Sequence, residues 1–152
     1  MKKLKNIKLL AGLISVVGAV VWLTGCGGSG GGGGTTNTGG TNAPASIAGR
    51  SITHNITSGT APLPTHGSFV VAAGGADGDV TGNYTITGSG GVTNSSGTYT
   101  YTMTDINAAT LHLEDSVFGP IDEALTFTGP RTGTYSSSSG SGGTQSGTFI
   151  TN

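Results

Sequence analysis

Cysteine occurs once in this chain of 152 residues, at position 26. With one cysteine there is no disulfide framework and no cysteine cluster to hold a metal. Charge is scarce as well: Asp, Glu, Lys and Arg together make up 9% of the chain. Four of the six basic residues (Lys2, Lys3, Lys5 and Lys8) lie in the first ten positions, leaving only Arg50 and Arg131 beyond. After Cys26 those two face seven acidic residues, a net charge of −5. So few cations provide no electrostatic footprint for nucleic acid and no polybasic patch for an anionic membrane surface. The one tryptophan, Trp22, lies near the N-terminus, and no window after residue 45 sustains a helical period.

What is plentiful is glycine, at 30 residues, with abundant threonine and serine. These are distributed in blocks. Residues 1–8 are basic, and residues 9–23 form an almost unbroken apolar run. At roughly 15 residues the run fits the hydrophobic region of a secretory signal and falls short of the roughly 20 that span a bilayer. Leu23-Thr24-Gly25-Cys26 follows directly. This tetrad resembles the lipobox of bacterial lipoproteins. The resemblance implies cleavage between Gly25 and Cys26, lipidation of Cys26 (palmitate among its acyl chains), and attachment to a membrane through that lipid. Gly27, where an aspartate would be a retention signal, implies the outer membrane if the host is Gram-negative.

Residues 26–45 read as the lipidated cysteine and a tether of Gly, Ser, Thr and Asn closed by Pro44. Such a segment has too little apolar surface to offset the entropy of ordering. As a flexible coil of about 19 residues it would hold its cargo roughly 25 Å from the lipid. Gly28-Ser29-Gly30-Gly31-Gly32-Gly33 has the letters of a dinucleotide fingerprint, but no strand precedes it and no helix follows.

From Ser46 the period changes to two. Ile52, His54 and Ile56 alternate with Thr53, Asn55 and Thr57, and Tyr99, Tyr101 and Met103 with threonines. Leu111 and Leu113 flank His112, and Leu125 and Phe127 flank Thr126. This is the pattern of half-buried antiparallel strands, with threonine suited to the outer face by its β-branch and hydroxyl. Glycine, proline and Asp-Gly breaks separate about eight runs, near residues 48–57, 67–73, 80–87, 97–104, 108–114, 122–128, 131–137 and 145–151. Asp77-Gly78 reads as a type I′ hairpin turn.

A Gly-x-aromatic unit recurs at Gly67-Ser68-Phe69, Gly82-Asn83-Tyr84, Gly97-Thr98-Tyr99, Gly133-Thr134-Tyr135 and Gly147-Thr148-Phe149. Residues two apart share a strand face, so each glycine leaves a gap that a cross-strand ring can cover. Residues 46–152 are therefore expected to form an all-β domain, a small antiparallel up-and-down barrel, with a β-sandwich as the alternative. The strand rhythm resembles small lipocalin-like barrels and Thr/Gly-rich secreted bacterial β domains.

Chemistry-bearing residues are few. His54 sits on the apolar face and could line a barrel mouth with the loop at residues 62–64, or be a hydrogen-bonded core residue. His54, Tyr99 and Tyr101 are the candidates for contact with a small apolar ligand. His54, His66 and His112 lack metal-ligand spacing, so no metal is expected. Asp77-Gly78-Asp79 lacks the remaining acids of a calcium loop. Glu114-Asp115 and Asp122-Glu123 are adjacent pairs whose members face opposite ways, and they read as solvated strand ends. No Gly-x-Ser-x-Gly elbow and no phosphate-loop lysine occurs. The sequence thus points to a lipid-anchored envelope protein with no catalytic role and no cofactor. Its partner would be an envelope protein, a glycan or a small apolar ligand.

Overall fold

The computed structural model describes residues 42–152. The leader 1–25, Cys26 and residues 27–41 of the expected tether lie outside the described residues. Eight strands follow in order: β1 (Ser51–Gly59), β2 (Ser68–Ala73), β3 (Thr81–Ser89), β4 (Ser95–Asp105), β5 (Ala108–Asp115), β6 (Gly119–Gly129), β7 (Thr132–Ser139) and β8 (Thr144–Thr151). Each pairs with the next, and β8 returns antiparallel to β1, closing the sheet into a barrel. The expected runs fall on these strands, and closure decides for the barrel over the sandwich. A closed sheet also leaves no unpaired edge.

Burial follows the period of two. Tyr84, Ile86, Tyr99, Tyr101, Leu111, Leu113, Leu125, Phe127, Tyr135 and Phe149 all point inward and form one core. Thr53, Thr57, Thr85, Thr98, Thr100, Thr126 and Thr134 are exposed outside. Met103, expected inside, is 42% exposed, because β4 breaks register between Met103 and Asp105 at the barrel rim.

The Gly-x-aromatic units mesh two by two. Gly82 stands opposite Tyr99 and Gly97 opposite Tyr84 across β3 and β4. Gly133 stands opposite Phe149 and Gly147 opposite Tyr135 across β7 and β8. A methyl on Gly133 would lie 2.5 Å from Cζ of Phe149, and one on Gly147 2.8 Å from Cε1 of Tyr135. Each ring occupies the space its partner's glycine leaves. Gly67 differs: it is a turn residue with φ of 104°, and Phe69 pairs instead with Gly88 and His54.

Both ends of the barrel are covered. The lower end carries the β2–β3, β4–β5 and β6–β7 turns, and residues 42–50 cross it. Ala43 and Ile47 are buried there. The amides of Asn42 and Ala43 donate to the Ile106 carbonyl at 2.9 and 3.0 Å, and the Tyr101 hydroxyl donates to the Pro44 carbonyl at 2.8 Å. Residues 42–45, expected within the tether, thus pack with the barrel; their small side chains and backbone groups suit a plug between turns. At the β2–β3 turn only Gly78 has positive φ among residues 76–79. A type I′ turn needs it at both central residues, so Asp77-Gly78 is a different turn, set in a loop of residues 74–80 rather than a two-residue hairpin. At the upper end, the loop of residues 60–67 folds over the mouth and buries Leu63.

Candidate functional site

The same alternation that fills the barrel with apolar groups also delivers polar ones to its interior, and three of them meet. His54 follows Ile52 on β1, Glu123 precedes Leu125 on β6, and Ser137 follows Tyr135 on β7, each two residues from its apolar neighbour. His54 is 0% exposed and Glu123 3%. His54 Nε2 lies 2.8 Å from Glu123 Oε1, and the Ser137 hydroxyl donates to Glu123 Oε2 at 3.0 Å. The imidazole stacks on Phe69 at a centroid distance of 4.4 Å and meets Tyr135 edge-on at 4.7 Å. His54 Nδ1 is buried and has no hydrogen-bond partner among the described residues. That geometry favours the tautomer with its proton on Nε2, where an acceptor waits, over one with an unpaired N–H on Nδ1.

An apolar cleft at the upper end ends against this cluster. It holds about 30 Å³ of free space and is lined by Leu63, Phe69, Ile86, Leu113, Phe118 and Ile121 together with Glu123, Ser137 and Gln145. That is room for one or two water-sized groups. Its roof is pinned by Gln145, whose Nε2 donates to the Pro64 carbonyl at 2.9 Å while its Oε1 accepts from the Tyr135 hydroxyl at 3.1 Å. Burial, reinforced by the charge of Glu123, raises the Tyr135 pKa far above its ordinary value.

Asp115, 6% exposed, is a second buried carboxylate. It accepts from the Tyr84 hydroxyl at 2.6 Å and from Ser95 at 2.7 Å. The amides of Val117 and Phe118 donate to its other oxygen at 2.8 and 3.0 Å. Burial alone would push its pKa up, but the bonds from Ser95, Tyr84 and the two amides outweigh it and hold the carboxyl below the usual aspartate value. Asp115 ties the β5–β6 turn to the barrel wall.

The three residues expected to meet a ligand are not brought together. His54 lies in mid-barrel rather than at the mouth. Tyr99 donates to the Gly74 carbonyl at 2.8 Å and Tyr101 to Pro44, both at the lower end. Burial pushes the Tyr101 pKa up to about 12. None of the three lines the cleft. His112 lies on the outer face as expected, half-exposed, and sits between Asp122 (2.7 Å to Nδ1) and Glu114 (3.1 Å to Nε2). Bonds to Asp122 and Glu114 raise its pKa above the ordinary histidine value. Among the described residues no group of three or more His, Cys, Asp or Glu side chains is arranged to hold a metal ion.

Asp115 and Glu123 correct the reading of the two acidic pairs as solvated. In each pair the strand period sends one acid out and one in: Asp115 continues the inward series of Leu111 and Leu113, and Glu123 begins the series of Leu125 and Phe127. That signal was present in the sequence. No family model, no curated protein and no solved structure matches this chain.

Proposed function

We propose that this protein is a bacterial lipoprotein, held in the cell envelope by lipid on Cys26, whose barrel plays a structural or interaction role and no catalytic one. The observation that carries the reading is the Leu23-Thr24-Gly25-Cys26 tetrad set directly after a basic segment and an apolar run. The barrel supports it. Its outer face is rich in exposed threonine and serine, which suits a domain attached by a lipid rather than by its own strands. A glycine-rich tether between anchor and barrel suits a domain presented to partners at a distance.

The second reading, a barrel that binds a small apolar ligand, is favoured by the cleft above Glu123. With about 30 Å³ free, against roughly 300 Å³ or more for sites that enclose a drug-sized molecule, the expectation of a barrel that holds its ligand inside loses its support, and what the cleft leaves is contact with one end of a ligand at its mouth.

Cys26→Ala is the test of the anchor. The wild type is expected to incorporate radiolabelled palmitate and to fractionate with membranes, and the variant to do neither. Label in the variant equal to that in the wild type would overturn the assignment.

A further inference from the structure

Glu123 is an acceptor with capacity to spare. An ionised carboxylate offers about four lone-pair positions, and Glu123 uses one on each oxygen, for His54 and for Ser137. Asp115, also buried, fills four. Burying a carboxylate without full compensation is costly, and Glu123 is among the residues that line the cleft. Apart from Thr93, Glu123, Ser137 and Gln145 the cleft walls are hydrocarbon, with Phe69, Ile86, Leu113, Phe118 and Ile121 the largest share. Ser137 donates to Glu123, and Gln145 spends one N–H on the Pro64 carbonyl and its Oε1 on the Tyr135 hydroxyl; the lining holds no cationic side chain to meet an incoming anion.

From this arrangement we infer that the upper cleft is a head-group socket for an alkyl or aryl ammonium. The cation sits against Glu123, and the apolar tail leaves the barrel between Phe118 and the loop that carries Leu63. Size sets the division. The free space admits a group of about the volume of a water molecule, which an ammonium matches and a ring does not, so the tail must lie at the mouth, where Leu63 is the side chain it displaces. Charge sets the sign. A carboxylate head would face Glu123 at close range with no counterion, whereas an ammonium gains a charge-assisted bond of the stronger kind. The inference rests on the small-ligand reading of the barrel and is independent of lipidation at Cys26.

The test uses purified protein and three six-carbon probes: hexylamine, hexanol and hexanoate. Binding is read from methyl chemical shifts of Ile86, Leu113 and Ile121 during titration. Hexylamine is expected to shift these methyls, hexanol to do so more weakly, and hexanoate not at all. Glu123→Gln should weaken hexylamine about tenfold by removing the charge-assisted bond, while Asp122→Asn, on the outer face, should leave it unchanged. Leu63→Ala, which opens the roof and keeps Glu123, should tighten it; it is also the variant to rely on if Glu123→Gln does not fold. Hexanoate binding as tightly as hexylamine, unaltered hexylamine affinity in Glu123→Gln, or hexylamine shifts confined to the His112 face would overturn the ammonium socket. Hexanol binding alone would keep the small-ligand reading without the ammonium; no binding of any probe to wild type or Leu63→Ala would remove both.

Discussion

Asp115 and Glu123 are inward carboxylates on neighbouring strands of one barrel, and the difference between them separates structure from candidate function. Asp115 has two hydroxyl and two amide donors and stands where β5 turns into β6. The two amide bonds are local to that turn, while Ser95 reaches Asp115 from β4 and Tyr84 does so from β3. Glu123 has one imidazole and one hydroxyl, lies mid-barrel, and borders open space. One carboxylate is saturated and holds a turn in place. The other is left partly open in an apolar interior, where an all-hydrocarbon core would have been simpler to build. Among the described residues the buried side-chain atom without a partner is Nδ1 of His54, the neighbour of Glu123, so this cluster, unlike the Asp115 turn, carries unmet hydrogen-bonding capacity.

The largest expected effect is on the saturated side. Asp115→Ala strands the buried Tyr84 hydroxyl and frees the turn amides, and should cost about 3 kcal/mol, read from denaturant unfolding; a loss under about 1 kcal/mol would mean that Asp115 is no staple. On the open side, Glu123→Leu alone should cost about as much, because it leaves the His54 Nε2–H buried without an acceptor. Replacing both partners, as in His54→Phe with Glu123→Leu, should recover most of that loss or exceed wild-type stability, since a buried polar pair is often no better than well-packed hydrocarbon. If the double variant is as unstable as the single, the His54–Glu123 pair is structural and the comparison fails.

Acid provides a gentler probe. The folded Asp115 pKa lies below its ordinary value, so folding favours the ionised form. The stability this contributes is complete above about pH 4 and is lost as pH falls through the lowered folded value. Asp115→Asn should therefore flatten the acid limb of stability against pH. An acid limb with the wild-type slope in this variant would assign the acid sensitivity to other carboxylates.

Much of the barrel was legible in the sequence because a half-buried strand writes its two faces into alternate residues. The Ile52-x-His54-x-Ile56 and Leu111-x-Leu113 series located strands, and the Gly-x-aromatic units located close approaches. What local pattern could not supply was partnership across the barrel. Nothing near His54 in the chain points to Glu123, 69 positions away, because that contact depends on closure. The plug at residues 42–45 was illegible for another reason. Its anchoring is mostly by backbone amides to Ile106 and by one carbonyl to Tyr101, with one side-chain bond from Asn42 to Asn107, and backbone groups carry no compositional signature. Leu63 was hidden between two prolines that mark a loop but not where the loop folds.

The central claim, that the barrel is the cargo of a lipid anchor, is tested most directly by the intact mass of the protein extracted from membranes of its own host. The account predicts a chain that begins at Cys26 and carries the added mass of acyl groups at that residue. A membrane-extracted chain that still begins at Met1, or one with Cys26 as a free thiol, would contradict it.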